Sequence, residues 1–261
     1  MIGMYIVTKS YRKITLDLAH QIKLVVADVD GTLLSSGDSV SPAVAKTIRS
    51  LENYGIIVGL ASGRPLTRLE PLATTLKISG PIIAENGSVA KLKRGSTIFD
   101  LGYSRQPALT ALKKLKSDFA GAIREAEDSA DRMIDVGFYC DGVTHEELEK
   151  HLKGVQLLDS GYMLHLLQPD VSKGRTLMRL LGLIGDGTLH PHEVMVFGDS
   201  ATDVSLFAEF ENSVLIVNPR LTEKQTEGIR NLAKYQSELT FGDGFVEVVS
   251  FIIKTRLAMC S

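Results

Sequence analysis

Residues 24–38 read LVVADVDGTLLSSGD. Four apolar residues run straight into Asp28 and Asp30, which flank Val29, and Gly31 and Thr32 follow at once. A strand covered on both faces reads as a continuous apolar run, whereas a strand with one wet face alternates. Residues 23–27 therefore predict a buried strand. The two acids are either the start of a turn or the reactive end of a site, and local propensity alone does not separate these readings.

Working outward, Ser41 is a helix cap and Pro42 suits a first helical position. Val44, Ile48 and Leu51 supply an apolar stripe, and Gly55 ends it. Residues 56–61 predict a second buried strand, 66–76 a helix and 82–84 a third strand. Strand and helix alternate, which argues a parallel sheet with helices on its faces. The texture then changes. Residues 88–92 and 97–101 read as a hairpin around Arg94-Gly95, followed by helices at 107–119 and 144–152 and strands at 122–124, 133–140 and 162–167. After Pro169 the first pattern resumes: helix from 174 to 183, strand at 193–197, helix at 203–211, strand at 213–217, and helix from 222 onward.

These patterns predict an α/β fold, a doubly wound Rossmann-like parallel-sheet core with an inserted α+β cap. The expected division is an N-terminal extension at 1–22, a core at 23–87 and 170–261, and a cap at 88–169. Composition excludes some classes of function. The 261 residues carry a formal net charge of -2, so no broad basic field draws in nucleic acid. No stretch approaches the roughly 18 consecutive apolar residues of a membrane helix. Cys140 and Cys260 have no metal-ligand spacing, which reads as a reducing, cytoplasmic setting.

In open parallel sheets, ligands bind beyond the carboxyl ends of the strands. Four polar stretches fall near such ends: Asp28-Val29-Asp30-Gly31-Thr32, Ser62-Gly63-Arg64-Pro65, Lys173 and the pair Asp199 and Asp203. Each alone has an ordinary reading. Asp199 and Asp203 could cap a helix, and a lone lysine is usually solvated. Together they form an oxygen-rich set suited to a hard divalent cation and a phosphate, with Mg²⁺ the natural ion.

Those pieces, DVDGT at 28–32, ASGRP at 61–65, SKG at 172–174 and GDSATD at 198–203, resemble in order and spacing the haloacid dehalogenase superfamily. The insertion between the second and third resembles the α/β cap of the subfamily of sugar phosphatases, sucrose-phosphate phosphatase, mannosyl-3-phosphoglycerate phosphatase and archaeal phosphoglycolate phosphatase. Glu85-Asn86-Gly87 and Gly242-Asp243-Gly244 also look like that subfamily. The resemblance covers about residues 22–253. It implies Asp28 as nucleophile, Asp30 as general acid and then base, Ser62 as a phosphoryl donor and Lys173 as the bridge between nucleophile and phosphate. It implies Asp28, Asp30 (through its carbonyl), Asp199 and Asp203 around Mg²⁺. Thr32, Gly63, Arg64, Asn86 and Thr202 are candidate substrate contacts.

One departure is Thr202, where the family often has asparagine. The implied partner is a small phosphorylated metabolite, with no nucleic acid and no membrane. The expected activity is Mg²⁺-dependent hydrolysis of a sugar phosphate or phosphorylated small organic acid. The alternatives are a phosphotransferase or mutase using the same aspartyl-phosphate, and an idle sugar-phosphate-binding protein. His165, in the last cap strand, could face the site but reads rather as a packed or exposed histidine, and residues 35–38 read as a flap.

Overall fold

The computed structural model describes residues 8–37, 39–161, 163–184 and 187–258. In chain order, β1 (Lys9–Ser10), α1 (Leu16–Gln21), β2 (Leu24–Ala27), α2 (Pro42–Asn53), β3 (Ile57–Ala61), α3 (Leu66–Leu76) and β4 (Ile82–Ala84) come first. The hairpin strands β5 (Val89–Lys91) and β6 (Ile98–Phe99) follow. Then come α4 (Gln106–Asp118), β7 (Ile123–Glu125), β8 (Val136–Cys140), α5 (His145–Lys150), β9 (Gln156–Asp159) and β10 (Leu164–Leu167). The chain closes with α6 (Lys173–Leu181), β11 (Val194–Gly198), α7 (Val204–Glu209), β12 (Asn212–Val217), α8 (Glu223–Arg230), β13 (Tyr235–Thr240) and α9 (Phe241–Leu257).

The strands form a nine-stranded sheet in the order β1-β13-β12-β11-β2-β3-β4-β5-β6, and a separate four-stranded sheet in the order β7-β8-β10-β9. From β1 to β4 every pairing is parallel. In β2 the side chains alternate between two covered faces. Val25 and Ala27 pack with Ile48, Leu51 and Phe245 on one side. Leu24 and Val26 pack with Leu177, Leu180 and Phe207 on the other. That double burial is why the strand reads as a continuous apolar run. The larger of these side chains, Leu24, Val25 and Val26, each contribute roughly 1.5–3 kcal/mol on leaving water. The smaller sheet is antiparallel and buries Phe138, Val136 and Leu166 against α4 and α5.

Three sequence expectations need correction. The hairpin at 88–101 belongs with the large sheet, because β5 is hydrogen-bonded antiparallel to β4. The elements of the smaller sheet and its helices therefore begin at Gln106, later than the expected 88. The stretch 1–22 is no mere extension over its described part: Tyr11, Ile14, Leu18 and Ile22 are buried in the main core, and β1 pairs with β13. Residues 1–7 of it lie outside the described residues, as do Asp38 and Cys260. Finally, the tract expected to be helical from 222 onward contains β13. Its sequence, YQSELT, buries Tyr235 and Ser237 and leaves the alternate positions more open, a pattern hidden by its polar composition. The strand β9 also escaped the sequence reading.

Candidate active site

Three adjacent parallel strands, β11, β2 and β3, deliver their carboxyl ends to one edge of the large sheet. Asp28 follows β2, Ser62 follows β3 and Asp199 follows β11. The chain must then turn away sharply. Gly31 does so at φ +90°, and a Cβ there would sit 2.3 Å from an Asp199 carboxylate oxygen. No other residue fits both that dihedral and that approach.

Lys173 is the first residue of α6, capped by Ser172. It is 1% exposed. Its ammonium donates to Asp28 Oδ1 at 2.7 Å, Asp203 Oδ1 at 2.8 Å and Thr202 Oγ1 at 3.2 Å. Asp203 also accepts from the Asp199 N–H at 3.0 Å and the Ser200 N–H at 3.1 Å. It thus ties the lysine to the turn that carries Asp199. Thr32 donates to Asp199 Oδ1 at 2.8 Å and Asn218 donates to Asp199 Oδ2 at 2.7 Å. Thr32 is fully buried and is not among the residues that line the cavity above the strand ends. Thr202 shares a 2.9 Å hydrogen bond with Ser200, so its hydroxyl is fully engaged between lysine and turn.

Asp28, Asp199 and Asp203 each place a carboxylate oxygen within 4.8 Å of the others. Burial pushes the Asp28 carboxyl well up; Lys173 pulls it down, but Asp203, Asp199 and Asp30 push it up again. Burial likewise pushes Asp199 up to about 7, with Asp203 adding to it. Burial alone would lower the Lys173 ammonium, but Asp203 and Asp28 outweigh it and hold it protonated. The three carboxylates therefore face one committed cation. A hard divalent cation takes oxygen ligands of this kind and would supply the missing positive charge, so the donor set fits one.

Asp30 lies beside this cluster, and its carboxylate is held bidentately by Arg64, at 2.7 Å to Nε and 2.6 Å to NH2. Arg64 also reaches the Gly37 carbonyl at 2.9 Å. A cavity of about 410 Å³ opens above the strand ends, lined by Asp28, Asp30, Ser62, Gly63, Asn86, Lys173, Asp199 and Thr202 among others. Ser35, Ser36 and Gly37 of the expected flap line it too. Arg64 instead lines an adjoining cavity that shares Asp30 and Gly63.

Asn86 sits in the left-handed region at φ 57° and donates to Asp135 Oδ2 at 3.0 Å. The same carboxylate forms an ion pair with Arg132 at 3.0 Å and contacts His165 Nδ1 at 2.9 Å. Beside it, Glu85 accepts the N–H groups of Met133, Ile134 and Asp135. His165 is thus a buried partner of Asp135. Sequence reading missed Asn218, Arg220 and the Ser160-Gly161 tip that also line the cavity. Asn218 follows a parallel strand, β12, so the strand-end rule could have found it. Ser160 and Gly161 carry no local signal.

The haloacid dehalogenase-like hydrolase family matches residues 25–131 and 142–226, and the chain belongs to that family. A phosphoglycolate phosphatase of Methanoculleus marisnigri is 33% identical over 234 residues, covering 87% of this chain and 95% of that protein. A phosphoglycolate phosphatase of Methanospirillum hungatei is 30% identical, covering 90% and 98%. Among solved structures, protein 0175 of Thermoplasma acidophilum superposes with a TM-score of 0.74 at 23% identity, covering 89% of this chain and 98% of that one. A haloacid dehalogenase-like hydrolase from Bacteroides thetaiotaomicron gives 0.71 at 22% identity, covering 88% and 99%. These two likenesses concern the fold.

Proposed function

We propose that the chain is a Mg²⁺-dependent phosphatase that hydrolyses a small phosphate monoester, a sugar phosphate or phosphorylated small organic acid, through an aspartyl-phosphate on Asp28. The observation that carries this reading is the Lys173 ammonium bridging Asp28 and Asp203 at the floor of the cavity. The phosphatase names of relatives that match nearly the whole chain support it.

Asp28 attacks phosphorus, and the ester oxygen leaves. A carboxylate approaching a phosphate dianion meets like charge, at roughly 4 kcal/mol per pair of unit charges at 4 Å and an effective dielectric near 20. Lys173 offsets part of that cost and fixes the direction of the Asp28 carboxylate. Asp28, Asp199 and the carbonyl of Asp30 would hold Mg²⁺, with Asp203 behind them; the ion, when bound, neutralises charge on the transferring group. Ser62 donates to a phosphoryl oxygen. Asp30 gives its proton to the leaving alcohol, and as a base then takes one from the water that cleaves the acyl phosphate.

Arg64 fixes the orientation of the Asp30 carboxylate through its two hydrogen bonds. The elements from Gln106 to Leu167 act as a cap that excludes bulk water while Asp28 is attacked.

The test is phosphate release from a panel of sugar phosphates and phosphorylated acids, with Mg²⁺ and with chelator. Release that requires Mg²⁺ is expected. A well-folded protein that releases phosphate from none of them contradicts the reading. Transfer to an added alcohol in preference to water would assign it to phosphotransferases instead.

A further inference from the structure

We propose that Arg220 selects the substrate by binding a second anionic group, so that the esters taken here carry a carboxylate or another phosphate besides the phosphoryl group that Asp28 receives. The inference rests on the phosphatase reading of the site and deepens it.

Among the described residues, the basic side chains that line the cavity are Lys173 and Arg220. Lys173 is committed to Asp28 and Asp203 at the floor. Arg220 is exposed at the rim, and its guanidinium pairs with no carboxylate among the described residues. Arg49, Arg68, Arg94 and Arg230 are likewise exposed with no carboxylate partner among the described residues, but none of these four lines the cavity, and Arg220 does. The Arg220 guanidinium lies 5.2 Å from the centre of the Phe241 ring. An aromatic face orients a guanidinium without using its in-plane N–H donors. Those donors match a carboxylate or phosphate in bidentate fashion.

The residue is also tied to the chemistry. Its N–H donates to Asn218 Oδ1 at 3.0 Å, while Asn218 Nδ2 donates to Asp199 Oδ2 at 2.7 Å. One asparagine thus sets the spacing between the acidic floor and the basic rim. The rest of the rim is neutral and rich in donors: Ser35, Ser36, Ser160 and Gln225. The floor carries Asp28, Asp30 and Asp199. A second anion is repelled by those carboxylates and, with Lys173 committed to Asp28 and Asp203, meets the Arg220 guanidinium. A neutral polyol ester finds donors at the rim but leaves the Arg220 charge unanswered.

Two matched pairs of ligands test this. Phosphoglycolate is compared with 2-hydroxyethyl phosphate, and 3-phosphoglycerate with glycerol 3-phosphate. Dissociation constants are measured by calorimetry in an Asp28→Asn background, which does not depend on turnover; kcat/KM is measured in the active enzyme. In at least one pair, Arg220→Ala is expected to cut the preference for the charged member by about 10- to 100-fold, the scale of hydrogen bonds to a charged group. Arg220→Lys, which keeps the charge and loses the fork, is expected to retain part of it.

Equal changes for both members of both pairs, or no change, overturn the assignment. So does a wild-type site that prefers the neutral esters. Absence of turnover in the active enzyme, with the binding preference intact, contradicts the phosphatase reading and leaves the Arg220 assignment standing.

Discussion

Asp28 and Asp135 are both removed from water, yet their carboxyl groups are pushed in opposite directions. At Asp28 burial and three neighbouring carboxylates raise the pKa, and Lys173 only partly compensates. At Asp135 burial also pushes upward, but His165, Arg132 and Asn86 outweigh it and the pKa is lowered. The first cluster, at the strand ends, holds more negative charge than its own residues balance. The second, at the seam between the two sheets, is balanced by its own residues. An unbalanced buried cluster is poised for an incoming cation and phosphate. A balanced one fixes geometry: Asn86 from the large sheet's edge, and Arg132, Asp135 and His165 from the smaller sheet and its loops.

The comparison is broken most severely at the seam. Asp135→Ala removes the buried partner of His165 and leaves Arg132 with Asp128 as its remaining carboxylate. Removing one partner of a buried pair typically costs about 3–5 kcal/mol. Denaturant unfolding of the metal-free protein should show that loss. A loss under about 1 kcal/mol would mean the seam is not a balanced ionic cluster.

The strand-end cluster should respond with the opposite sign. The folded chain holds the Asp199 proton more tightly than the unfolded chain. Its contribution to stability is therefore complete below about pH 4 and is lost as pH rises through about 7. The metal-free protein is expected to weaken over that range. Asp199→Asn removes the charge while keeping a similar shape, and should stabilise the metal-free protein at pH 8 by up to roughly 4 kcal/mol. Mg²⁺ is expected to raise the melting temperature of the wild type, and Asp199→Asn should abolish that rise. Destabilisation of the metal-free protein at pH 8 would show that the carboxylates do not repel one another.

Thr202→Asn sharpens the same comparison with a small effect. The threonine hydroxyl already accepts from Lys173 and bonds Ser200. An asparagine oxygen can take over the first of these roles. The change in kcat/KM should stay under about 1 kcal/mol, roughly fivefold. A loss of a hundredfold would make Thr202 a specific requirement of this chain.

The large sheet was legible because β2, β3 and β11 are buried on both faces, and nothing but a continuous apolar run satisfies that. The strand-end rule places Asp28, Ser62 and Asp199 just past the ends of those strands, and that is where they stand. What the sequence hid has physical reasons. The polar alternation of β13 resembles a solvated helix, and two-residue β1 is too short for any periodicity. Asp135 and His165 are 30 residues apart in the chain, and their hydrogen bond forms only when β8 and β10 pair. The bidentate hold of Arg64 on Asp30 was equally invisible, since it depends on how the turns after β2 and β3 face each other. Arg220 follows Pro219 in a loop with no motif, and its setting comes from Asn218 and Phe241.

The central claim is that Asp28 receives the phosphoryl group. Rapid acid quenching of the wild type during Mg²⁺-supported turnover, followed by mass analysis of its peptides, tests it directly. One phosphoryl group should appear on Asp28, and Asp28→Asn should lose both the modified peptide and turnover. Turnover that persists near the normal rate in Asp28→Asn, or a phosphoryl group trapped on another residue, would contradict the account.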